Sequence, residues 1–321
     1  MTFPESIVVI SGGVGAARLL RGLIDIVPAR SVTAIVNVAD DMELHGLSIS
    51  PDLDTVMYTL ADAIDPERGW GLVDETWNAM EALGRYGSRN WFSLGDRDLG
   101  THMQRSAMLA EGATLTAATA ALRNAWDVEV KILPVTDDPV STRITRDDTG
   151  ETIAFQEYFV GLKHAVPVSA VTFEGIDTAR PTPQVTQAIA TADLVIVAPS
   201  NPVVSIAPVL QVPGIAEALD ESPATRVAVS PIVGGHALKG PAADMLTSLG
   251  HRCDAAGVAA MWSDHVDILL IDDADAALAH AVAAAGVVPY VTDTIMATPA
   301  RRQAVARSTL SAAVLPVGRR R

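Results

Sequence analysis

The sequence predicts an α/β fold, a Rossmann-like, doubly wound and mainly parallel sheet with an inserted β-hairpin subdomain. Three observations carry that expectation: six short apolar or β-branched runs, helix-period segments between most of them, and a stretch over 142–170 that reads as two strands around a turn. Alternating strand and helix favours parallel neighbours joined by crossovers. Taken in order, the strand runs are 7–11, 32–37, 129–134, 194–198, 226–230 and 267–271, each bounded by turn-forming residues. Helix-period segments cover 16–26, 53–64, 76–85, 101–109, 115–125, 214–219, 242–249 and 274–284. Within 142–170, the runs 143–145 and 152–155 flank Asp147-Asp148-Thr149-Gly150, a hairpin turn sequence. Residues 301–315 read as a closing helix and 318–321 as a solvated basic tail. The expected division is a first core part over 1–141, the hairpin insert over 142–190, and a second core part with a C-terminal helix over 191–321.

Composition narrows the functional classes. The 321 residues are 49% hydrophobic and 19% charged, enough apolar material for a large core and unlike a disordered or coiled-coil chain. With 23 Lys plus Arg against 38 Asp plus Glu, the net charge of −15 argues against sequence-independent binding to nucleic acid or an anionic membrane. Only Lys131, Lys163 and Lys239 are lysines, so most cations are arginine forks suited to phosphate or carboxylate. A lone Cys253 excludes an internal disulfide framework or a cysteine-based cluster within one chain and fits a reducing cytoplasm. The run over 7–10 follows the N-terminus without a basic leader, and the apolar stretch 276–291 is too short and interrupted to span a bilayer.

The first motif, Ser11-Gly12-Gly13-Val14-Gly15-Ala16-Ala17-Arg18, lies between predicted strand and helix. Glycines there let the backbone approach an anion, and the helix start offers free N–H groups. Arg18 stands where a dinucleotide fingerprint needs its third glycine, and no Gly-Lys-Ser/Thr follows, so neither a standard NAD site nor a Walker loop is supported. The structural alternative is a tight strand-to-helix turn. The second motif joins Asn37-Val38-Ala39-Asp40-Asp41 to Ser50-Pro51-Asp52-Leu53-Asp54-Thr55. Four carboxylates near the carboxyl end of a strand suit Mg²⁺ when a substrate phosphate completes its shell, although Asp52 or Asp54 could equally cap a helix.

Trp91-Phe92-Ser93-Leu94-Gly95-Asp96-Arg97-Asp98-Leu99-Gly100-Thr101-His102 forms the third site. Its aromatic residues can wall a ring-shaped ligand, while Arg97, His102 and Arg105 can address anions; the plainer reading is a surface ion network beside a buried tryptophan. Two later loops, Ala198-Pro199-Ser200-Asn201-Pro202 with Ser205 and Ser230-Pro231-Ile232-Val233-Gly234-Gly235 continuing to Lys239, follow strands and offer small polar side chains and amides. Several such loops on one sheet edge would make a crevice. The sequence has no G-x-S-x-G elbow and no H-E-x-x-H helix, which leaves acyl-hydrolase and zinc-protease chemistry without support.

Together with Leu94-Gly-Asp-Arg-Asp98, Asp137-Asp-Pro-Val-Ser-Thr142 and Pro199-Ser-Asn-Pro202, these strings occur in an order that spans most of the chain. The chain resembles the 2-phospho-L-lactate transferase family of coenzyme F420 biosynthesis, in its actinobacterial phosphoenolpyruvate transferase branch. The resemblance implies a cytoplasmic, Mg²⁺-dependent homodimer that joins the deazaflavin Fo to a phosphorylated three-carbon acid. The donor would be enolpyruvyl-diphosphoguanosine, or lactyl-diphosphoguanosine, with GMP released and dehydro-F420-0 or F420-0 formed. It further implies that Asp54 meets Fo and the reacting hydroxyl, that Asp40 and Asp41 hold Mg²⁺ or its water shell, and that Gly12, Gly13 and Gly15 approach phosphate. Arg97 with His102 would bind the donor acid or the transferring group, and Ser200, Asn201, Gly234 and Gly235 would contact guanosine. Competing classes are an NAD-type oxidoreductase, with Asp40 on ribose, and a non-catalytic nucleotide-binding regulator.

Overall fold

A computed structural model describes residues 4–317. Seven strands build the main sheet: β1 (Ile7–Ser11), β2 (Val32–Val36), β3 (Lys131–Pro134), β4 (Leu194–Val197), β5 (Thr225–Val229), β6 (Ile268–Ile271) and β7 (Val288–Val291). Their order is β7-β6-β5-β4-β1-β2-β3, and every pair is parallel. Strand β1 therefore has β2 on one side and β4 on the other, with Ile7 opposite both Val32 and Leu194. That reversal of direction is where doubly wound sheets open a ligand crevice.

All residues of β1, β4 and β6 are buried, because helices cover both sheet faces and remove the need for polar alternation. Helix α1 (Gly13–Ile24) starts two residues after β1 and buries Ala16, Ala17, Leu19, Leu20 and Leu23 against the sheet. Helix α2 (Pro51–Leu60) packs beside it, and α3 (Asp98–Ala110) packs against the short strand Leu47–Ile49 and the helix Leu115–Ala125. The C-terminal helix α4 (Pro299–Ala312) begins with the Thr298 side chain accepting from Arg301 N–H and closes against α1.

The expected hairpin is present and larger than the sequence suggested. Ser141–Arg146 pairs with Thr152–Ala154 across the 147–150 turn, and Val168–Glu174 adds a third antiparallel strand on its other edge. Strand β7 was not expected either. It contains Pro289, and an edge position tolerates a residue without an N–H. The helix expected over 274–284 divides into a 3₁₀ segment, Asp273–Leu278, and an α-helical one, Ala279–Ala284. Helices Pro183–Ala190 and Ala255–Trp262 lie outside the expected helical segments, and the basic tail over 318–321 lies outside the described residues. Among those residues no single helix is long and apolar enough to cross a membrane. The apolar pair Pro202–Gln211 and Ile215–Glu221 is bent by 77° and buries Ile206, Val209 and Ile215 in the core.

Candidate active site

At the carboxyl edge of the sheet, a cleft of about 590 Å³ opens over the β1–β4 switch point. Gly12, Gly13 and Gly15 line it from the turn after β1, Asp40 from the segment after β2, and Ser200 and Asn201 from the turn after β4. Helices α2 and α3 contribute Asp52, Asp54, Tyr58, Asp98 and His102. The turns meet closely. A Cβ on Gly15 would stand 2.1 Å from the Pro199 carbonyl oxygen, so only glycine lets α1 begin against the β4 turn. Ser200 Oγ donates to the Gly12 carbonyl at 2.6 Å and fastens the two turns together.

The carboxylates fall into two groups. In the first, Asp52 accepts from Asn37 Nδ2 at 3.0 Å and from the Gly13 backbone, while Asp40 accepts from Thr142 Oγ1 at 3.0 Å. Gln156 Nε2 reaches the Asp40 carbonyl at 3.3 Å, so the inserted three-stranded sheet helps shape this corner. Burial pushes the Asp52 carboxyl up to about 6 despite those hydrogen bonds, and burial together with the nearby Asp52 charge holds Asp40 well above the usual carboxylate range. Asp41 stands behind them and outside the cleft lining. Its Oδ2 accepts from Ser50 Oγ at 2.7 Å, its Oδ1 is buried with no hydrogen-bond partner among the described residues, and burial raises its pKa well above normal. Ser50 occupies the N-cap position of α2, but its hydroxyl serves Asp41 instead of the helix.

In the second group, Arg105 is fully buried and forks onto both oxygens of Asp54, with Nη1 3.0 Å from Oδ2. His102 lies between two carboxylates, with Nδ1 3.6 Å from Asp54 Oδ2 and Nε2 3.3 Å from Asp98 Oδ2. Tyr58 Oη donates to Asp98 Oδ1 at 2.6 Å, and burial followed by the neighbouring carboxylates raises the phenol far above its ordinary value. Asp54, Asp98 and His102 place ligand atoms within 4.8 Å of one another, a set able to hold a metal ion. Arg105 and Tyr58 already neutralise or occupy part of both carboxylates there. The Asp40–Asp52 corner has amide and hydroxyl donors and, among the described residues, no ion-paired cation.

Besides Asp41, three further expected residues stay outside the cleft lining. Arg97 is exposed and donates from Nη1 to the Val73 carbonyl at 2.6 Å. Its backbone N–H and that of Asp98 are both held at 2.8 Å by Glu75, which caps the start of α3 and leaves the Arg97 side chain outside. Gly234 and Gly235, at φ of 57° and 78°, form the tight turn between Ile232–Val233 and His236–Ala237. From the same loop, Ser230, Pro231, Lys239 and Gly240 do reach the cleft. The sequence also left Arg68, Trp70, Phe155 and Phe159 unassigned, yet all four line it, with the Phe155 and Phe159 rings stacked 5.5 Å apart. Phe155 and Phe159 flank the end of the predicted hairpin, where their residue type was the only signal.

Comparisons with known proteins agree with this geometry. Residues 7–310 match the family model described as 2-phospho-L-lactate transferase CofD. A phosphoenolpyruvate transferase of Kitasatospora aureofaciens is 44% identical over 312 residues, covering 96% of this chain and 97% of that protein. One from Thermobifida fusca (strain YX) is 43% identical over 320 residues, covering 96% and 98% respectively. Among solved structures, a member of the UPF0052 family from Bacillus halodurans superposes with a TM-score of 0.64 at 20% identity, covering 97% of this chain and 100% of that one, a likeness of fold. By its match along nearly the whole sequence, the chain belongs to the 2-phospho-L-lactate transferase CofD family.

Proposed function

We propose that this chain transfers the phosphoenolpyruvyl group, or its 2-phospholactyl counterpart, from the guanosine-diphosphate ester to the deazaflavin Fo. The products are dehydro-F420-0, or F420-0, and GMP. The observation that carries this reading is the meeting of an anion-binding glycine turn with the buried Asp40–Asp52 pair at the sheet's switch point. The phosphoenolpyruvate transferases that share 43–44% of the sequence favour the enolpyruvyl donor.

In the reaction, the terminal ribityl hydroxyl of Fo forms a bond to the phosphorus bearing the three-carbon acid. The bond from that phosphorus to the GMP oxygen breaks, GMP leaves with the electron pair, and the hydroxyl proton passes to solvent or a carboxylate. The free amides at the start of α1 receive the phosphate, and the aromatic walls of Trp91, Phe92, Phe155 and Phe159 suit the flat tricyclic acceptor. Asp54, clamped by Arg105, presents a fixed negative edge that orients the ribityl hydroxyl, with His102 held beside it. Ser200 and Asn201, which line the cleft from the turn after β4, contact guanosine.

The buried oxygens of Asp40 and Asp52, raised in pKa and with no ion-paired cation among the described residues, fit a divalent ion; Asp41, with its orphaned Oδ1, supports them from behind. When bound, Mg²⁺ would neutralise the charge on the diphosphate. Homodimeric assembly and a cytoplasmic location complete the proposal, and sedimentation velocity and cell fractionation test them. The decisive assay incubates the folded protein with Mg²⁺, Fo and each donor and follows the phosphodiester-linked deazaflavin and GMP by mass spectrometry. Absence of product with both donors would remove the transferase reading.

A further inference from the structure

Residues 65–77, between α2 and the helix Asn78–Arg85, form one lip of the cleft and present Arg68 to it. This guanidinium is held on several sides. Nη2 donates to the Leu72 carbonyl at 2.8 Å and lies 3.0 Å from Asp65 Oδ2. The guanidinium carbon sits 5.5 Å from the Trp70 ring centroid and 5.3 Å from that of Trp77. Among the described residues Nε is buried without a partner and Nη1 makes no hydrogen bond, while the residue as a whole is half-buried. With indole rings beside its faces and one nitrogen anchored, the guanidinium has its in-plane Nη1 edge left for a ligand.

The lip also adjoins the phosphate turn. A Cβ on Gly69, next to Arg68, would stand 4.0 Å from Val14 Cγ1 in the glycine turn and 3.2 Å from the Lys239 ammonium. Two cations thus flank the point where the lip touches the phosphate loop, while the carboxylates of Asp40 and Asp52 lie deeper. In a 2-phospho acid the carboxyl carbon is three bonds from phosphorus. A phosphate seated on the glycine turn would therefore bring its carboxylate into this neighbourhood.

We infer that Arg68, assisted by Lys239, receives the carboxylate of the transferred three-carbon acid and is the residue that selects an acid-bearing donor. A planar carboxylate matches the free edge of a guanidinium fixed in its plane. The inference rests on the proposed function and adds a residue to it that neither Arg97 nor His102 replaces.

The test compares the donor ester with GDP, which carries the guanosine and diphosphate but no carboxylate. In Arg68→Met, donor affinity, read through Trp70 and Trp77 fluorescence and through KM, is expected to fall about 10- to 100-fold. GDP and Fo affinities should stay within about twofold, since no group that holds them has changed. An equal loss for GDP would assign the fork to the diphosphate and overturn the inference, as would unchanged donor affinity. Arg68→Lys keeps the charge and the stem. If the methionine variant unfolds, the lysine variant decides the matter by the same criterion, with a selective loss of donor affinity supporting the carboxylate role and an unchanged or parallel profile refuting it. Wild-type protein that forms no product with either donor would instead sink the transferase reading, an outcome visible before any variant is made.

Discussion

Asp52→Asn tests whether the carboxylate corner is built for a cation. The Asp52 carboxyl is raised from 3.8 to about 6 in the folded chain, which corresponds to a cost of ~3 kcal/mol for keeping it ionised at neutral pH. The sign follows from proton binding. Between those two values the native state holds a proton that the unfolded state has released, so stability falls as pH rises, and the full cost is present above the folded value. The substitution removes this charge and relieves Asp40, whose own pKa is raised by the Asp52 charge after burial. One of the hydrogen bonds from Asn37 or Gly13 is weakened, at about 1–2 kcal/mol, because an amide offers a single acceptor oxygen. The net expectation in the absence of metal is a gain of ~1–2 kcal/mol at about pH 8, or ~2–4 °C in Tm, shrinking toward about pH 5. Mg²⁺ at about ten times its dissociation constant would stabilise the wild type by ~1.4 kcal/mol, and the variant should lose that response together with turnover. Thermal melts in EDTA and in Mg²⁺ at both pH values measure every part of this. A variant that melts below wild type in EDTA at the higher pH, or that keeps the full Mg²⁺ response, would refute the reasoning.

Arg105→Met leaves Asp54 buried without its partner and should cost ~3–5 kcal/mol in urea denaturation, whereas an exposed ion pair such as Arg85–Glu81 would cost almost nothing. Gly15→Ala places a methyl against the Pro199 backbone carbonyl, and the forced separation of α1 from the β4 turn should cost ~2–3 kcal/mol; an unchanged melting temperature would contradict the close approach. Glu75→Gln weakens the cap on α3 by ~1 kcal/mol, and amide hydrogen exchange should accelerate at Arg97 and Asp98 ahead of the rest of the helix.

The site was legible where it depends on the strand-to-turn-to-helix rule. The glycine turn, the Asp40–Asp54 region and the Pro199–Asn201 turn each sit at a strand's carboxyl end, and the parallel sheet brings those ends to one edge regardless of what fills the loops. Elements without such a local marker were harder to read. Strand β7 carries Pro289, and the third strand of the insert, Val168–Glu174, is recognised only once it pairs with Ser141–Arg146. Arg68 likewise depends on two tryptophans separated by seven positions folding onto it.

Arg97 and Arg105, both candidates for anion contact in the sequence, part for a geometric reason set by the helix. In α3, residues 98, 102 and 105 fall at i, i+4 and i+7 and share one face, so Asp98, His102 and Arg105 are buried together. Arg97 precedes the first helical residue and cannot share that face once Glu75 fixes the helix start. In α2, Asp54 and Tyr58 are spaced i, i+4 and form the complementary stripe. Each polar stripe could be read from spacing alone, but its meaning required the other helix, because a buried arginine is tolerable only opposite a buried carboxylate. Asp54→Asn should therefore destabilise the protein strongly through Arg105, while Asp54→Asn combined with Arg105→Met should recover much of the lost stability and none of the turnover. A double variant no more stable than the single one would show that the two stripes do not form the pair described.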